Sequence, residues 1–512
     1  MAGRLQFAVQ FGEAPRPSAA ELNPDRPMRI LVLGDFSGRG TRAQAADAGP
    51  LGSRPTPRID IDNFETTFQR FAPRLDLAFD GDAAPVAPEF RTLEDFHPDQ
   101  LFAREPGFQE LAQLRARLKN PATFADAAAE LRTRFGMGRD DSALKPRQPA
   151  PMPAAENEAD LLDDILSGQS AQTSRESTGP LQEFIRRAVE PHVVPSVSPQ
   201  QDDLIAAVDQ AIGARMRAIL HHPAFQRLEA LWRGVDRLVA QIGSSEEVRL
   251  HLADITREEL ADDLERAGER PQSAGVYRLL VDGGIGTPGG EPWSLVIGDY
   301  TFGPIDADAR LLAALGSIST RAGGPFLAAA DSRILGGKTS IETLDPRDWP
   351  PLTSDEEELW TSLRHTAAAE SIGLVWPRVL LRLPYGRETD EVERFKFEEI
   401  TDPVRQHDAY LWGNPALACA QLLAQSFVEQ SWSMRPGDHL ELDGLPAHSY
   451  RNEHGEPELK PCAEIFLTQT AAEAILDRGL MPLASYRHRD AVRLVRFQSI
   501  ALPPAPLRGA WQ

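Results

Sequence analysis

Met28-Arg29-Ile30-Leu31-Val32-Leu33 is a nearly unbroken apolar run, closed by Gly34-Asp35. A strand without apolar/polar alternation has both faces buried, and the Gly-Asp pair ends it in a turn. The rest of the chain must supply its cover. Leu5 to Phe11 reads as an earlier strand. Ile59-Asp60-Ile61-Asp62 reads as a short strand that stops at an Asn63 helix cap, after which Phe64, Phe68 and Phe71 share one helical face. Helices are expected from Pro106 through Leu111, Leu114 and Leu118, and from Pro121 past Phe124 to Leu131. Residues 1–135 thus read as one α/β domain.

The sequence then changes character. Residues 136–180 hold Pro146, Pro149, Pro151, Pro153 and the polar stretch Gly168 to Gly179, a composition that buries no core and predicts a linker. Within it, Leu161, Leu162, Ile165 and Leu166 put an apolar stripe on a short helix over 159–167. So short a helix is marginal alone in water, and its stripe needs a groove.

Residues 181–512 read as a larger mixed-sheet α/β domain with N-terminal helices. Leu204, Val208, Ile212, Met216 and Leu220 recur every four residues, and Phe225, Leu228, Leu231, Trp232, Val235 and Leu238 continue after a break at His222-Pro223. Apolar runs then alternate with turns: Val276 to Val281, Trp293 to Ile297, Phe326 to Ala330, Leu374 to Leu383 and Ile465 to Leu467. Leu295-Val296-Ile297-Gly298-Asp299-Tyr300 echoes Leu31 to Phe36, as two buried strands with Gly-Asp turns would without any duplication.

The 512 residues carry 54 Lys and Arg against 76 Asp and Glu, a net charge of −22 that works against phosphate backbones and anionic membrane surfaces. No nucleic-acid partner is expected. Cys419 and Cys462 are too few for a disulfide framework, which favours a reducing compartment. The first residues lack a signal core, and no apolar stretch approaches the roughly 18 residues of a spanning helix. A cytoplasmic protein without membrane insertion is expected.

Common catalytic signatures fail on context. Gly284-Ile285-Gly286-Thr287-Pro288-Gly289 follows a strand-like Val276 to Asp282 but precedes another strand where a dinucleotide needs a helix, so a hairpin is expected. Gly337-Lys338-Thr339 has Ser332 where a phosphate loop needs glycine. His439, His448, His454 and Cys462 lack zinc-site spacing and read as solvated loop groups; a metal-dependent enzyme built on this loop is the remote alternative. His221-His222 reads as a cationic cap on terminal helix carbonyls. The acid-rich windows Ser354 to Glu358 and Glu388 to Glu399 read as solvated, since Arg387, Arg394 and Lys396 interleave with the second. No catalytic residue, cofactor or metal is expected.

Several strings, taken in order, resemble the contractile sheath proteins of bacterial type VI secretion systems. PMRILVLGDFSGR (Pro27 to Arg39), IDIDNF, and LEDFHPDQLFAREPGFQELAQLRARL (Leu93 to Leu118) with its DF-x-P element are similar to the small, TssB-like subunit. ILHHPAFQRLEALWRGVDRLV (Ile219 to Val239), LVIGDYTF, PFLAAA, LRLPYG (Leu381 to Gly386), FKFEE (Phe395 to Glu399) and YLWGNPALACA (Tyr410 to Ala420) resemble the large, TssC-like subunit in that family's order.

The resemblance implies a non-enzymatic fusion protein whose two blocks interlock around an inner tube. It implies other sheath subunits or copies of the same chain as partners, and possible contacts to inner-tube or baseplate proteins. For Leu161, Leu162, Ile165 and Leu166 it implies an AAA+ unfoldase of the ClpV type, with the protein's own body and other partners as competing occupants. Leu5, Phe7, Val9 and Phe11 are the expected face of a strand donated to a neighbour. The family's large subunit continues past the segment resembled by RLVRFQSIALPP into a strand-exchanging C-terminal domain, which this chain is expected to lack. An adaptor, cap or initiator that does not polymerise alone therefore stands beside the sheath-subunit expectation.

Overall fold

The computed structural model describes residues 26–42, 49–79, 85–134, 199–243, 245–268, 270–285, 290–337, 343 and 345–511. The linker 136–180, Leu161, Leu162, Ile165 and Leu166 within it, and the strand Leu5, Phe7, Val9 and Phe11 lie outside them. The described residues group into two compact units, one drawn from 1–105 and 213–512 and the other from 106–212.

The larger unit is organised on a nine-stranded mixed sheet. The apolar run forms β1 (Met28–Gly34), which lies parallel to and between β3 (Val248–Asp254) and β4 (Leu295–Phe302). On one side β3 is edged by the antiparallel β2 (Arg58–Ile59). On the other, β4 is followed by β5 (Phe326–Ala330), β6 (Ile372–Trp376) and β12 (Met481–Ser485), all parallel, and then by antiparallel β13 (Val492–Leu494) and β9 (Glu441–Leu442). Small ladders pair β7 (Val379–Leu380) with β8 (Trp412–Gly413), and β10 (Ser449–Arg451) with β11 (Pro457–Leu459).

A strand from the first block of sequence therefore sits inside the sheet of the second. Ile30, Leu31, Val32 and Leu33 are fully buried, as a run without alternation requires. The two echoing strings are immediate neighbours: Leu31 pairs with Val296 and Leu33 with Gly298.

Helices cover both faces. Leu31, Leu33, Val296, Ala328 and Leu374 point into a core shared with Leu312, Leu315 and Ile318 of α8 (Asp306–Ala322). This core also takes in α7 (Arg257–Ala267) and α9 (Ser354–Arg364) through Leu260, Leu359 and Leu363. The alternate residues face α6 (Pro223–Ile242) and α10 (Pro415–Gln430), which pack on each other, α10 also lying along β4, β5 and β6. From the first block come α1 (Phe64–Phe71) and α2 (Pro98–Arg104); α11 (Gln469–Asp477) precedes β12.

In the smaller unit, α3 (Pro106–Lys119) packs on α4 (Phe124–Arg134). Arg115 of α3 grips Asp209 of α5 (Pro199–Leu220) through two hydrogen bonds of 2.5 and 3.0 Å, and Gln201 donates to the Leu118 carbonyl at 2.7 Å. Among the described residues no helix is long and apolar enough to cross a membrane.

Two local expectations are corrected. Residues Gly275–Asp282 are helical, with a π-turn over Arg278–Asp282, so the expected hairpin before the glycine-rich loop lacks its first strand. Val276, Leu279 and Leu280 are spaced i, i+3, i+4 and enter the core together, a helical period that a segment of only six residues hides. His222 is not a cation at helix carbonyls. Its Nδ1 accepts from the Ala224 amide at 3.2 Å, making it the N-cap of the following helix, and burial lowers its pKa, which favours the neutral acceptor.

Candidate functional site

The strings that carry the family resemblance converge on a few joints. The first is Trp232, fully buried on α6. Its indole Nε1 donates to the Phe36 carbonyl at 3.0 Å, just past the end of β1. Around it stand Phe36, Phe64, Phe68 and Phe71, with ring centroids 5.1, 6.0, 4.4 and 5.8 Å away. The aromatic face of α1 is thus filled by a tryptophan from the second block. Aromatic pairs at these separations add directional attraction to area burial.

The DF-x-P element makes a second joint. Asp95 accepts from the Arg91 and Thr92 amides at 2.6 and 3.2 Å and pairs with Arg104 at 2.8 Å, fixing the turn that starts α2. That turn drives Phe96 into the core, stacked on Phe90 at 4.1 Å and edge-on to Phe225 of α6 at 5.5 Å. One turn on, Asp99 accepts the amides of Glu393 and Arg394 at 3.1 and 3.0 Å.

The third joint is a buried charge network drawn from three strings. Arg382 of LRLPYG donates Nε to Glu229 of the α6 string at 2.7 Å and Nη1 to Glu399 of FKFEE at 2.7 Å. Glu229 also accepts from Arg233 at 2.7 Å, and Arg233 reaches the Tyr385 hydroxyl at 3.2 Å. Glu399 accepts the Tyr385 amide at 2.8 Å, with His221 Nε2 at 3.6 Å. Glu229 and Glu399 are at most 1 % exposed, so each carboxylate depends on its partners. Burial works against ionised Glu399, yet Arg382 and His221 hold it down to about 2. Burial opposes the Arg382 charge as well, and Glu229 and Glu399 outweigh it. Two cations and two anions balance, and all of them face one another. That arrangement locks α6 to the 381–399 segment.

A cavity of about 500 Å³ opens where β1 and β4 end, lined by Asp35, Asp299, Arg227, Arg257, Leu228 and Ile305 among others. It lies where strand order reverses, β1 leading to β3 on one side and β4 to β5 on the other. Asn414 of LWGNP bonds the Gly298 carbonyl beside it at 3.1 Å while capping α10.

The residues expected in the histidine loop do not meet. His439 pairs with Glu429 at 2.8 Å, His448 with the Tyr410 hydroxyl at 2.7 Å, and His454 is exposed. Cys462 is buried, and burial raises its thiol to about 11. Among the described residues no group of three or more His, Cys, Asp or Glu side chains is placed to hold a metal ion. Ser354 to Glu358 forms the first turn of α9, closed by a capping box between Thr353 and Glu356. Glu399, expected to be solvated, is instead buried in the network above. Its window is acidic because most of it is loop surface, while one member turns inward to Arg382.

Residues 202–501, more than half of the chain, match the model for the EvpB/VC_A0108 (VipB) tail-sheath N-terminal domain. The chain belongs to this tail-sheath family. Residues 9–139 match a second model, for the type VI secretion system protein family described as VipA, VC_A0107 or Hcp2. The first match holds the Trp232, Arg382 and Asn414 joints, and the second holds β1, α1 and the DF-x-P turn. Among curated relatives, the type VI secretion system sheath protein TssC1 of Pseudomonas aeruginosa is 33% identical over 307 residues, covering 59% of this chain and 61% of that protein. The tail-sheath chain thus aligns with somewhat less than two thirds of that relative's length.

Glu229, Arg382 and Glu399 were not legible as a site. One signal was available: Glu229 sits at i+4 from Phe225 and i−3 from Trp232, a carboxylate in the middle of an apolar helical stripe, with Arg233 at i+4.

Proposed function

We propose that the protein is a structural, non-enzymatic component of a type VI secretion contractile sheath, working in the cytoplasm, with small- and large-subunit-like blocks supplied by one chain. The placement of β1 carries this reading. A strand from the residues matched by the VipA-type model lies between two strands of the tail-sheath domain, so the blocks are complementary parts of one sheet rather than tethered neighbours. The balanced, inward-facing charges at Arg382 and the aromatic packing of Trp232 support a mechanical role, because both spend their chemistry on holding elements together.

Under this reading, other sheath subunits or copies of this chain are the partners, with contacts to inner-tube or baseplate proteins. Leu5, Phe7, Val9 and Phe11 supply a donated strand, and Leu161, Leu162, Ile165 and Leu166 are the handle for an AAA+ unfoldase. Electron microscopy of the purified full-length protein tests the assembly. Helical tubes support a polymerising subunit. Single particles that decorate only the ends of preformed sheaths assign the adaptor or cap role instead. Single particles that ignore sheaths remove both.

A further inference from the structure

Three arginines from separate stretches of the first block line one cavity of about 220 Å³: Arg39 in the short turn after β1, Arg54 just past the turn Leu51–Ser53, and Arg70 in the last turn of α1. Phe71 lines it too, and Asp254 at the end of β3 is the acid among the described lining residues. In a chain of net charge −22, a recess with three guanidinium groups against one carboxylate is a local reversal of sign.

Two of the arginines are fixed, with side chains only 8 % and 6 % exposed at Arg39 and Arg54. Arg39 pairs with Asp254 through Nη1 and donates Nη2 to the Asp254 carbonyl and to Glu259, each at 2.6 Å. Arg54 donates Nη1 to the same carbonyl at 2.6 Å and to Glu259 at 2.8 Å, and pairs with Glu259 again through Nη2. Burial works against ionised Glu259, yet Arg54 and Arg39 hold it down to about 2, so its charge is spent on them. The two acids do not exhaust the donors: the Nε of Arg39 and of Arg54 is buried and meets no acceptor among the described residues. Arg70 is exposed and makes no hydrogen bond or ion pair with a described residue. Asp35, the next acid along, lines the larger cavity instead and gives its carboxylate to the Arg39 and Gly40 amides, both at 2.9 Å. Two carboxylates thus stand against three guanidinium groups, and one positive charge is left over.

We propose that this cavity binds a small oxyanion of the phosphate class, which pairs with Arg70 in the fixed positive field of Arg39 and Arg54. A guanidinium fork matches the oxygens of such an ion. The volume of about 220 Å³ admits the ion with several waters and falls short of the roughly 300 Å³ at which sites for drug-sized ligands begin. At long range the acidic chain repels anions, so saturable binding requires a local site of this kind. The cavity draws on the turn after β1, the end of α1 and the end of β3, which part on unfolding, so a bound ion stabilises the folded chain. The inference needs only this local packing and is independent of the sheath reading.

The test is thermal unfolding of the full-length chain titrated with sodium phosphate at neutral pH, with ionic strength held constant by sodium chloride. The midpoint should rise along a saturating curve, and Arg70→Gln should weaken the apparent affinity roughly tenfold or more, as loss of a charge-assisted hydrogen bond does. Because Arg70 is exposed and unpaired among the described residues, that variant keeps the fold. Arg74→Gln removes a nearby cation that pairs with Asp76 at 3.5 Å outside this cavity, and should leave the curve in place. Glycerol phosphate, used in place of phosphate, separates two sources of the same chemistry: saturable binding assigns the phosphoryl group of a larger ligand, and its exclusion assigns the free ion. A midpoint that climbs linearly with phosphate, as preferential exclusion of the salt produces, overturns the proposal. So does a saturating rise that Arg70→Gln leaves intact or that Arg74→Gln weakens equally.

Discussion

The Trp232 indole donates a 3.0 Å hydrogen bond to the Phe36 carbonyl, and the two side chains meet edge to face at 5.1 Å. These residues are 196 positions apart, in sequence matched by two different family models, and both are fully buried. This contact and the β1 ladders together show how the blocks are joined: by a common sheet and a common aromatic core.

Trp232→Phe keeps an aromatic ring but strands the Phe36 carbonyl, and should cost about 1–3 kcal/mol. Trp232→Ala also empties the space inside the ring of phenylalanines and should cost about 3–5 kcal/mol. Urea unfolding midpoints separate the two, and a Trp232→Phe midpoint equal to the parent's would show that the hydrogen bond contributes nothing.

Arg382→Met removes the shared partner of two carboxylates that are at most 1 % exposed, and should cost about 3–5 kcal/mol. Adding Glu229→Gln and Glu399→Gln to Arg382→Met removes the uncompensated charges and should recover part of that loss. A triple variant less stable than Arg382→Met would contradict the network as described.

Acid should unfold the protein through a set of carboxylates. Glu259, Glu399 and Glu464 are all held at about 2, burial being outweighed by Arg54 and Arg39, by Arg382 and His221, and by His407 and Arg378 respectively. Their folded values lie below the ordinary 4.5, so the stability they supply is present above 4.5 and drains away as pH falls towards 2. Circular dichroism followed to low pH should show unfolding in that window. Glu399→Gln, already lacking one such group, should have a shallower slope there.

Gly413 of the LWGNP string approaches Leu381 of LRLPYG so closely that an added β-carbon would lie 2.2 Å from Cδ1 and 2.7 Å from Cγ. Gly413→Ala should therefore force the β7–β8 ladder apart and cost about 1–3 kcal/mol by overpacking. A thermal midpoint equal to the parent's would show that the ladder yields freely.

The elements with strong local signals were legible. Met28 to Leu33 is short, β-branched in part and closed by Gly34-Asp35, which favours a buried strand, Leu204 to Leu220 and Phe225 to Leu238 repeat at helical spacing, and His222-Pro223 breaks them where α5 gives way to α6. Phe64, Phe68 and Phe71 showed a face, but nothing local says that a tryptophan from the other block fills it. Val276 to Val281 misled because so short a segment, five apolar residues interrupted by Arg278, fits either period until the core chooses. Glu399 misled because neighbouring Glu and Lys residues are solvated, and only the fold brings Arg382 to it. The shared sheet was hidden for a plain reason: strand order is a long-range property, and the apolar run pairs with β3 and β4 more than two hundred residues away.

That pairing is the centre of the account and can be tested directly by encoding residues 1–134 and 199–512 as two chains in one cell, with a tag on the first only. If β1 completes the sheet between β3 and β4, the tagged chain should retain the other at equal stoichiometry through gel filtration. Hydrogen exchange should then be slow at Ile30 to Leu33. Recovery of the tagged chain alone, or fast exchange along β1 in the complex, would contradict it.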